Sequence, residues 1–310
     1  MEYRNMGRTG LKLSEISLGG WLTFGGKVGD ETAFACFDAA VENGVNFIDL
    51  ADAYARGNAE SVFGRWLKGK KRSDFVISSK VYWPMSDNIN DRGLSRKHIM
   101  ESVEASLKRL GTDYLDLYFC HRYDKGTPLE ETVRAMSDLV QQGKVLYWGT
   151  SVWEADQIKD AVDISQRWLG YQPYVEQPCY NMLDRHIEES IIPTCAEKGL
   201  GIVVWSPLAQ GVLTTKYLNG IPEGARATYS HWIQEDLTEE NIERVKKLNV
   251  IAGDLGLTMP QLALAWILRH PEISSVITGA SRPEQVEENI RASGVKLDED
   301  ALAEIEGILA

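Results

Sequence analysis

The sequence predicts an α/β fold in which eight parallel strands alternate with helices and close into a (β/α)8 barrel, a TIM barrel. Three observations carry that prediction. Eight short apolar or β-branched runs recur along the chain, and most are continuous, as expected of strands covered on both faces. Helical patterns fill the gaps between them. The glycines near the first run, Gly19, Gly20, Gly25 and Gly26, fit neither the G-x-G-x-x-G spacing of a doubly wound dinucleotide fold nor the G-x-x-x-x-G-K phosphate loop.

The runs, in order, are Ile16–Gly20, Asn46–Asp49, Phe75–Lys80, Leu115–His121, Val145–Ser151, Tyr174–Gln177, Gly201–Ser206 and Ser275–Ala280. Ahead of them, residues 3–6 and 12–14 flank Gly7-Arg8-Thr9-Gly10 and read as an N-terminal β-hairpin. Phe34, Phe37 and Val41 mark a helix after the first run. Ile99, Val103, Leu107 and Leu110 mark another, with Ser95 as its N-cap and Gly111 at its end. Val133, Met136 and Val140 repeat the spacing before Gly143. Leu262, Ala265 and Trp266 do so after Pro260, a good first-turn residue. A long insertion separates the seventh run from the eighth, opening on the Gly/Pro-rich stretch 219–224 and turning helical. Loops of that length carry function or structure of their own. The whole of 1–310 is expected to form one barrel domain.

Of 310 residues, 44% are hydrophobic and 25% charged, a globular composition with ample core. The net charge of -12 argues against non-specific nucleic-acid binding and against anionic membranes, while leaving room for a local basic pocket. The first residues are polar and lack a signal-peptide core. No apolar run reaches the roughly 18 residues of a membrane span, so no membrane insertion is expected. Cys36, Cys120, Cys179 and Cys195 show no C-x-x-C spacing and read as reduced core thiols of a cytoplasmic protein. No metal is expected.

Four polar residues carry the chemistry. Asp49, Lys80 and His121 close the second, third and fourth runs, and Tyr54 follows Asp49 on the next loop. Barrel active sites lie at the C-terminal strand ends, so these side chains meet. A phenol has a pKa of about 10, and a nearby ammonium is expected to lower it. Asp49 would hold Lys80 charged and in place. His121 would donate to a substrate oxygen or relay a proton. Together they would protonate an alkoxide forming on a carbonyl carbon. Singly, each has a plainer role: a turn aspartate, a solvated lysine, a core histidine, a packing tyrosine. Four at consecutive strand ends make the joint reading the better one.

Residues 44–54, Gly-Val-Asn-Phe-Ile-Asp-Leu-Ala-Asp-Ala-Tyr, resemble the first signature of the aldo-keto reductases. Stretches 92–99, 130–136, 147–151, 205–209 and 279–281 resemble the branch that includes the β subunits of voltage-gated potassium channels. The likeness runs nearly end to end. It implies a barrel that binds NADP(H), extended across the strand ends, and reduces an aldehyde or ketone. By position, Tyr54 would be the general acid, Lys80 and His121 its tuners, and Asp49 the partner of Lys80. Ser151 and Gln177 match residues holding the nicotinamide carboxamide, and Trp205 the aromatic stacked on its ring. Gly20, Trp21, Asp49 and Gly279 belong to the same cofactor set. Residues Ser206, Pro207, Leu208, Ala209 and Gly211, with Lys216 and Tyr217, match the loop around the pyrophosphate. Arg226 matches a contact to the adenosine end. Ser281, Gln285, Glu288 and Asn289 match contacts to the adenine and its phosphate, and Arg282 would add charge against a 2′-phosphate. From the residues alone, Ser281 reads as the N-cap of a helix entered from the last strand.

Two departures from the family pattern stand out. Val152 replaces the Asn or Arg that commonly follows the carboxamide serine. His121 stands where channel β proteins commonly carry Asn, which favours turnover over a purely regulatory role. The substrate pocket is expected from Trp21, Tyr54, Trp83, His121 and Arg122, with Arg122 able to attract a carboxylate or phosphate. Two other readings stay open: a cofactor-sensing subunit of a membrane channel complex, and a barrel lyase or isomerase using the Lys80 amine as a Schiff-base nucleophile. The resemblance also allows a homo-oligomer.

Overall fold

A computed structural model describes residues 1–228, 230 and 232–310. An antiparallel hairpin of β1 (Tyr3–Asn5) and β2 (Lys12–Ser14) precedes the barrel, as the sequence predicts. The barrel strands are β3 (Ile16–Gly19), β4 (Phe47–Asp49), β5 (Val76–Val81), β6 (Leu115–Cys120), β7 (Val145–Thr150), β8 (Val175–Glu176), β9 (Gly201–Val204) and β10 (Ile273–Thr278). They close in the order β10-β3-β4-β5-β6-β7-β8-β9, every barrel pair parallel.

Helices alternate with them: α1 (Asp30–Glu42), α2 (Asn58–Leu67), α3 (Arg96–Leu110), α4 (Leu129–Gln141), α5 (Ala155–Arg167) and α6 (Ile191–Lys198). The long insertion after β9 holds α7 (Glu239–Asp254) and α8 (Met259–Ile267), and α9 (Pro283–Ile290) and α10 (Glu299–Leu309) follow β10. Helix α3 starts where Ser95 Oγ accepts from the His98 amide at 3.3 Å, and stops at Gly111 in the left-handed region. Thr258 and Gln261 form a reciprocal capping box at α8, with Pro260 in the first turn. One cap differs from expectation. Arg282, not Ser281, takes the N-cap position of α9, because Gln285 reaches back to bond the Ser281 amide and hydroxyl at 2.8 and 3.1 Å.

Strand ends also shift. The last strand begins at Ile273 and ends at Thr278, and the sixth keeps only Val175 and Glu176. His121, Ser151, Gln177 and Trp205 each stand immediately beyond a strand rather than within it. The amides of His121, Ser151 and Gln177 still bond the neighbouring strand, so each of those runs reads one residue past the end of its strand.

Two cores result. One fills the space between sheet and helices. The other lies inside the barrel, where Phe47, Val76, Leu117, Phe119, Val175, Val203 and Ile277 pack with Met6 and Leu13 of the hairpin region. The hairpin therefore plugs the floor. Gly7 makes that possible: its φ is +54°, and a Cβ there would stand 2.4 Å from the Gly201 amide nitrogen. Among the described residues, no single helix is long and apolar enough to cross a membrane.

Candidate active site

Side chains alternate faces along a strand, so each inward ladder can be continued to the mouth. Phe47 leads to Asp49, Val76 and Ser78 to Lys80, Leu117 and Phe119 to His121. Tyr147 and Gly149 lead to Ser151, Val175 to Gln177, Val203 to Trp205, and Ile277 to Gly279. Ser17 and Gly19 lead to Trp21. All eight mouth positions belong to the set expected from the sequence.

Lys80 is the hub. Wholly buried, it donates from Nζ to Asp49 Oδ2 at 2.6 Å, to the Leu50 carbonyl at 2.7 Å and to the Tyr54 hydroxyl at 2.9 Å. The same segment folds back on it, the Asp52 amide donating to the Lys80 carbonyl. Asp49 Oδ1 accepts from Ser78 Oγ at 2.8 Å and Gln177 Nε2 at 2.9 Å. A buried carboxylate with that many donors stays a counter-ion to the ammonium. Tyr54 is followed by three residues in the left-handed region, Ala55, Arg56 and Gly57. Strain of that kind gathers at functional sites. The His121 ring stands edge-on to Tyr54, centroids 5.9 Å apart, and its buried Nδ1 has no hydrogen-bond partner among the described residues.

The electrostatics correct one expectation. Burial drives the Tyr54 phenol well above its usual value, with Asp49 adding to the rise and Arg122 opposing it. Burial outweighs the hydrogen bond that the Lys80 ammonium donates to the phenol oxygen. Burial also lowers the Lys80 ammonium, against the pull of Asp49. Burial, with the nearby Lys80 and Arg122 cations, holds the His121 imidazole well below its usual range. The mouth therefore presents a protonated phenol and a neutral imidazole, two hydrogen-bond donors suited to a developing oxyanion.

Around it lie the remaining expected residues. Ser151 Oγ donates to the Gln177 carbonyl at 2.9 Å. Trp21 and Trp205 meet edge-to-face at 6.2 Å, although β10 separates their strands. Trp83 is 40% exposed and stands 6.2 Å from the His121 ring. Arg122 reaches back to the His121 carbonyl. After Trp205 the backbone turns sharply through Ser206, Ala209, Gln210 and Gly211, all at positive φ, with Pro207 and Leu208 between. Lys216, Tyr217 and Arg226 sit farther along in short 3-10 turns. Gly20 and Gly279 flank the mouth, and a Cβ built on Gly279 meets nothing within 4 Å. Ser281 and Arg282 are exposed ahead of α9, and Gln285, Glu288 and Asn289 lie on it, Asn289 buried. Among the described residues, no hydrogen bond joins Ser281, Arg282, Gln285, Glu288 or Asn289 to the proton-donating cluster.

Sequence reasoning missed Ser78, Glu176 and Asp52. Ser78 lies two residues before Lys80, so period two alone would have flagged it. Glu176 is wholly buried beside Gln177, and its carboxylate takes bonds from Thr150 Oγ1 and the Trp153 amide, propping the turn that carries Ser151. Burial pushes Glu176 up to about 7. Asp52 accepts from Ser102 Oγ at 2.8 Å, and burial pushes it to about 7 as well. A carboxylate inside an otherwise apolar stretch is the signal each carries.

Residues 15–310 match the model of the Aldo/keto reductase family. The chain belongs to that family. This aldo/keto reductase is 45% identical over 302 residues to an Arabidopsis thaliana protein named probable voltage-gated potassium channel subunit beta, across 95% of this chain and 92% of the relative. A rice protein (Oryza sativa subsp. japonica) of the same name matches at 45%, with the same coverage. A Schizosaccharomyces pombe protein named putative voltage-gated potassium channel subunit beta is 44% identical over 319 residues, across 99% of this chain and 93% of the relative. Family membership makes oxidoreductase chemistry the general activity of this reductase.

Proposed function

We propose that the chain is an NADPH-dependent reductase of aldehydes or ketones, with Tyr54 as general acid. The observation that carries the reading is the buried chain Asp49–Lys80–Tyr54, its links 2.6 and 2.9 Å, with neutral His121 beside it. Tyr54 donates its proton to the carbonyl oxygen as negative charge develops there, and His121 donates a second hydrogen bond. Lys80, with Asp49 behind it, receives the phenolate that results. When bound, NADPH supplies the hydride.

The residues present fit that cofactor. Trp205 offers an aromatic face at the mouth, and Ser151 and Gln177 offer polar groups beside it. Four positive-φ residues between 206 and 211 make the kind of concave backbone that cradles phosphate. Arg226 and Arg282 provide cations for a 2′-phosphate, which supports NADPH over NADH. The free thiols fit a reducing, cytoplasmic setting. Lys80, with all three N–H groups engaged and no exposure, is poorly placed as a Schiff-base nucleophile.

The test is a carbonyl panel with NADPH and NADH side by side, followed by loss of nicotinamide absorbance. Tyr54→Phe should lower turnover by about 10²–10⁴-fold while NADPH binding, read by fluorescence, persists. Turnover retained within about tenfold would overturn the assignment. The names of the relatives favour a second reading, a cofactor-sensing subunit of a channel complex. NADPH binding without reduction of any carbonyl, together with stable association with a purified channel, would favour it.

A further inference from the structure

The pocket holds a cation that the proton-donating cluster does not neutralise. Arg122 is half-buried beside His121. It donates one bond, Nη1 to the His121 carbonyl at 2.5 Å, and its guanidinium carbon lies 5.6 Å from the Trp83 ring centroid. A guanidinium has five N–H donors, and among the described residues no carboxylate pairs with this one. Three other half-buried arginines are neutralised: Arg4 by Glu15 at 2.7 Å, Arg72 by Asp116 at 2.6 Å and Arg109 by Glu60 at 2.6 Å. Glu176 lies near enough for its field to reach Arg122, but its oxygens serve Thr150 and the turn after β7. Burial works against the Arg122 charge, so an anion brought by a ligand would gain more there than in water. The position is also close to the chemistry: His121, one residue back, stands against both Tyr54 and Trp83.

We propose that Arg122 anchors an anionic group of the substrate, so that the preferred carbonyl compound carries a carboxylate or phosphate a few bonds from its C=O and lays its apolar part on Trp83. This rests on the reductase reading. A planar fork suits either anion, bidentate. The net charge of -12 repels anions at long range, so selection must be made by contact at this residue.

Two matched pairs test it: 4-carboxybenzaldehyde against methyl 4-formylbenzoate, and glyceraldehyde 3-phosphate against glyceraldehyde, each with NADPH. The wild-type protein should prefer the charged member of at least one pair, and which pair shows it separates carboxylate from phosphate. Arg122→Gln should cut the charged-to-neutral ratio of kcat/KM by about tenfold or more (about 1.4 kcal/mol), mainly through KM. Arg122→Lys should restore part of that ratio. Phenylacetate should compete with the neutral aldehyde in the wild type and lose most of that effect in Arg122→Gln. If Arg122 only props His121 through its backbone bond, both members lose equally, and the proposal fails. It fails too if the wild type favours the neutral member of both pairs. Reduction of no carbonyl at all overturns the reductase reading and this one with it; reduction without charge preference overturns this one alone.

Discussion

Lys80→Met separates the structural and chemical duties of the buried cluster. Removing Nζ deletes three hydrogen bonds and leaves the Asp49 carboxylate buried, with Ser78 and Gln177 still donating to it. Breaking one partner out of a buried ion pair costs about 3–5 kcal/mol. Replacing both partners by neutral groups is far milder, since no uncompensated charge remains. Lys80→Met alone should therefore lose about 3–5 kcal/mol in chemical denaturation, and Asp49→Asn with Lys80→Met should recover most of it. Turnover should not recover, because the phenolate of Tyr54 has no ammonium beside it in either protein; both should fall by about 10²–10⁴-fold. Denaturant melts and NADPH oxidation on the same samples read the two effects apart. A Lys80→Met protein within about 1 kcal/mol of wild type, or a double variant no more stable than the single one, would show that the pair is not the charge-balanced unit described above.

Tyr54→Phe removes only the hydroxyl that accepts from Lys80 and leaves the Asp49 pair intact; its stability should stay within about 1 kcal/mol of wild type although turnover collapses, and a larger loss in the melt counts against the division of labour. Asp52 and Glu176, both raised to about 7, keep protons in the folded chain that the unfolded carboxyls release near pH 4. The folded state binds more protons between about pH 4 and 7, so these two make stability fall as pH rises through that window, by about 3 kcal/mol each as an order of magnitude. Asp52→Asn with Glu176→Gln should flatten the slope in pH-dependent melts, and a slope unchanged from wild type refutes the assignment. Val152 has φ +57°, where a β-branched residue is strained and Asn is tolerated. Val152→Asn should raise stability by about 1 kcal/mol, and a lower melting midpoint would place the strain elsewhere.

The barrel was readable because strands covered on both faces leave continuous apolar runs, and because the helices between them carry their own caps. Ser95, Gly111 and Pro260 act where the pattern puts them. What the runs overstated was where each strand stops. Val145–Ser151 and Gly201–Ser206 each run past the strand they contain, which ends at Thr150 and Val204, because the residues that follow still bond a neighbouring segment: the Ser151 amide donates to Cys120 and the Trp205 amide to Pro178. Glu176 and Asp52 were missed for a different reason. Their partners Thr150, Trp153 and Ser102 are identifiable only once strands and helices have been laid side by side, and a local pattern holds no record of that pairing.

The mouth itself follows a simpler rule. In an eight-stranded barrel with small or apolar side chains stacked inside, whatever continues each inward ladder past the strand end must project into the opening. Lys80 is two residues above Ser78, and His121 two above Phe119, so their meeting with Asp49 is set by period two and by the register β4-β5-β6. Their protonation is not set that way. Tyr54 next to an ammonium suggests a phenol made more acidic, yet the loop carrying Tyr54 folds the hydroxyl out of water, and burial outweighs the bond from Lys80. Spacing identifies which groups meet; the order of their pKa values depends on how completely water is excluded, and here that keeps the proton on Tyr54 until an oxyanion stronger than the phenolate appears.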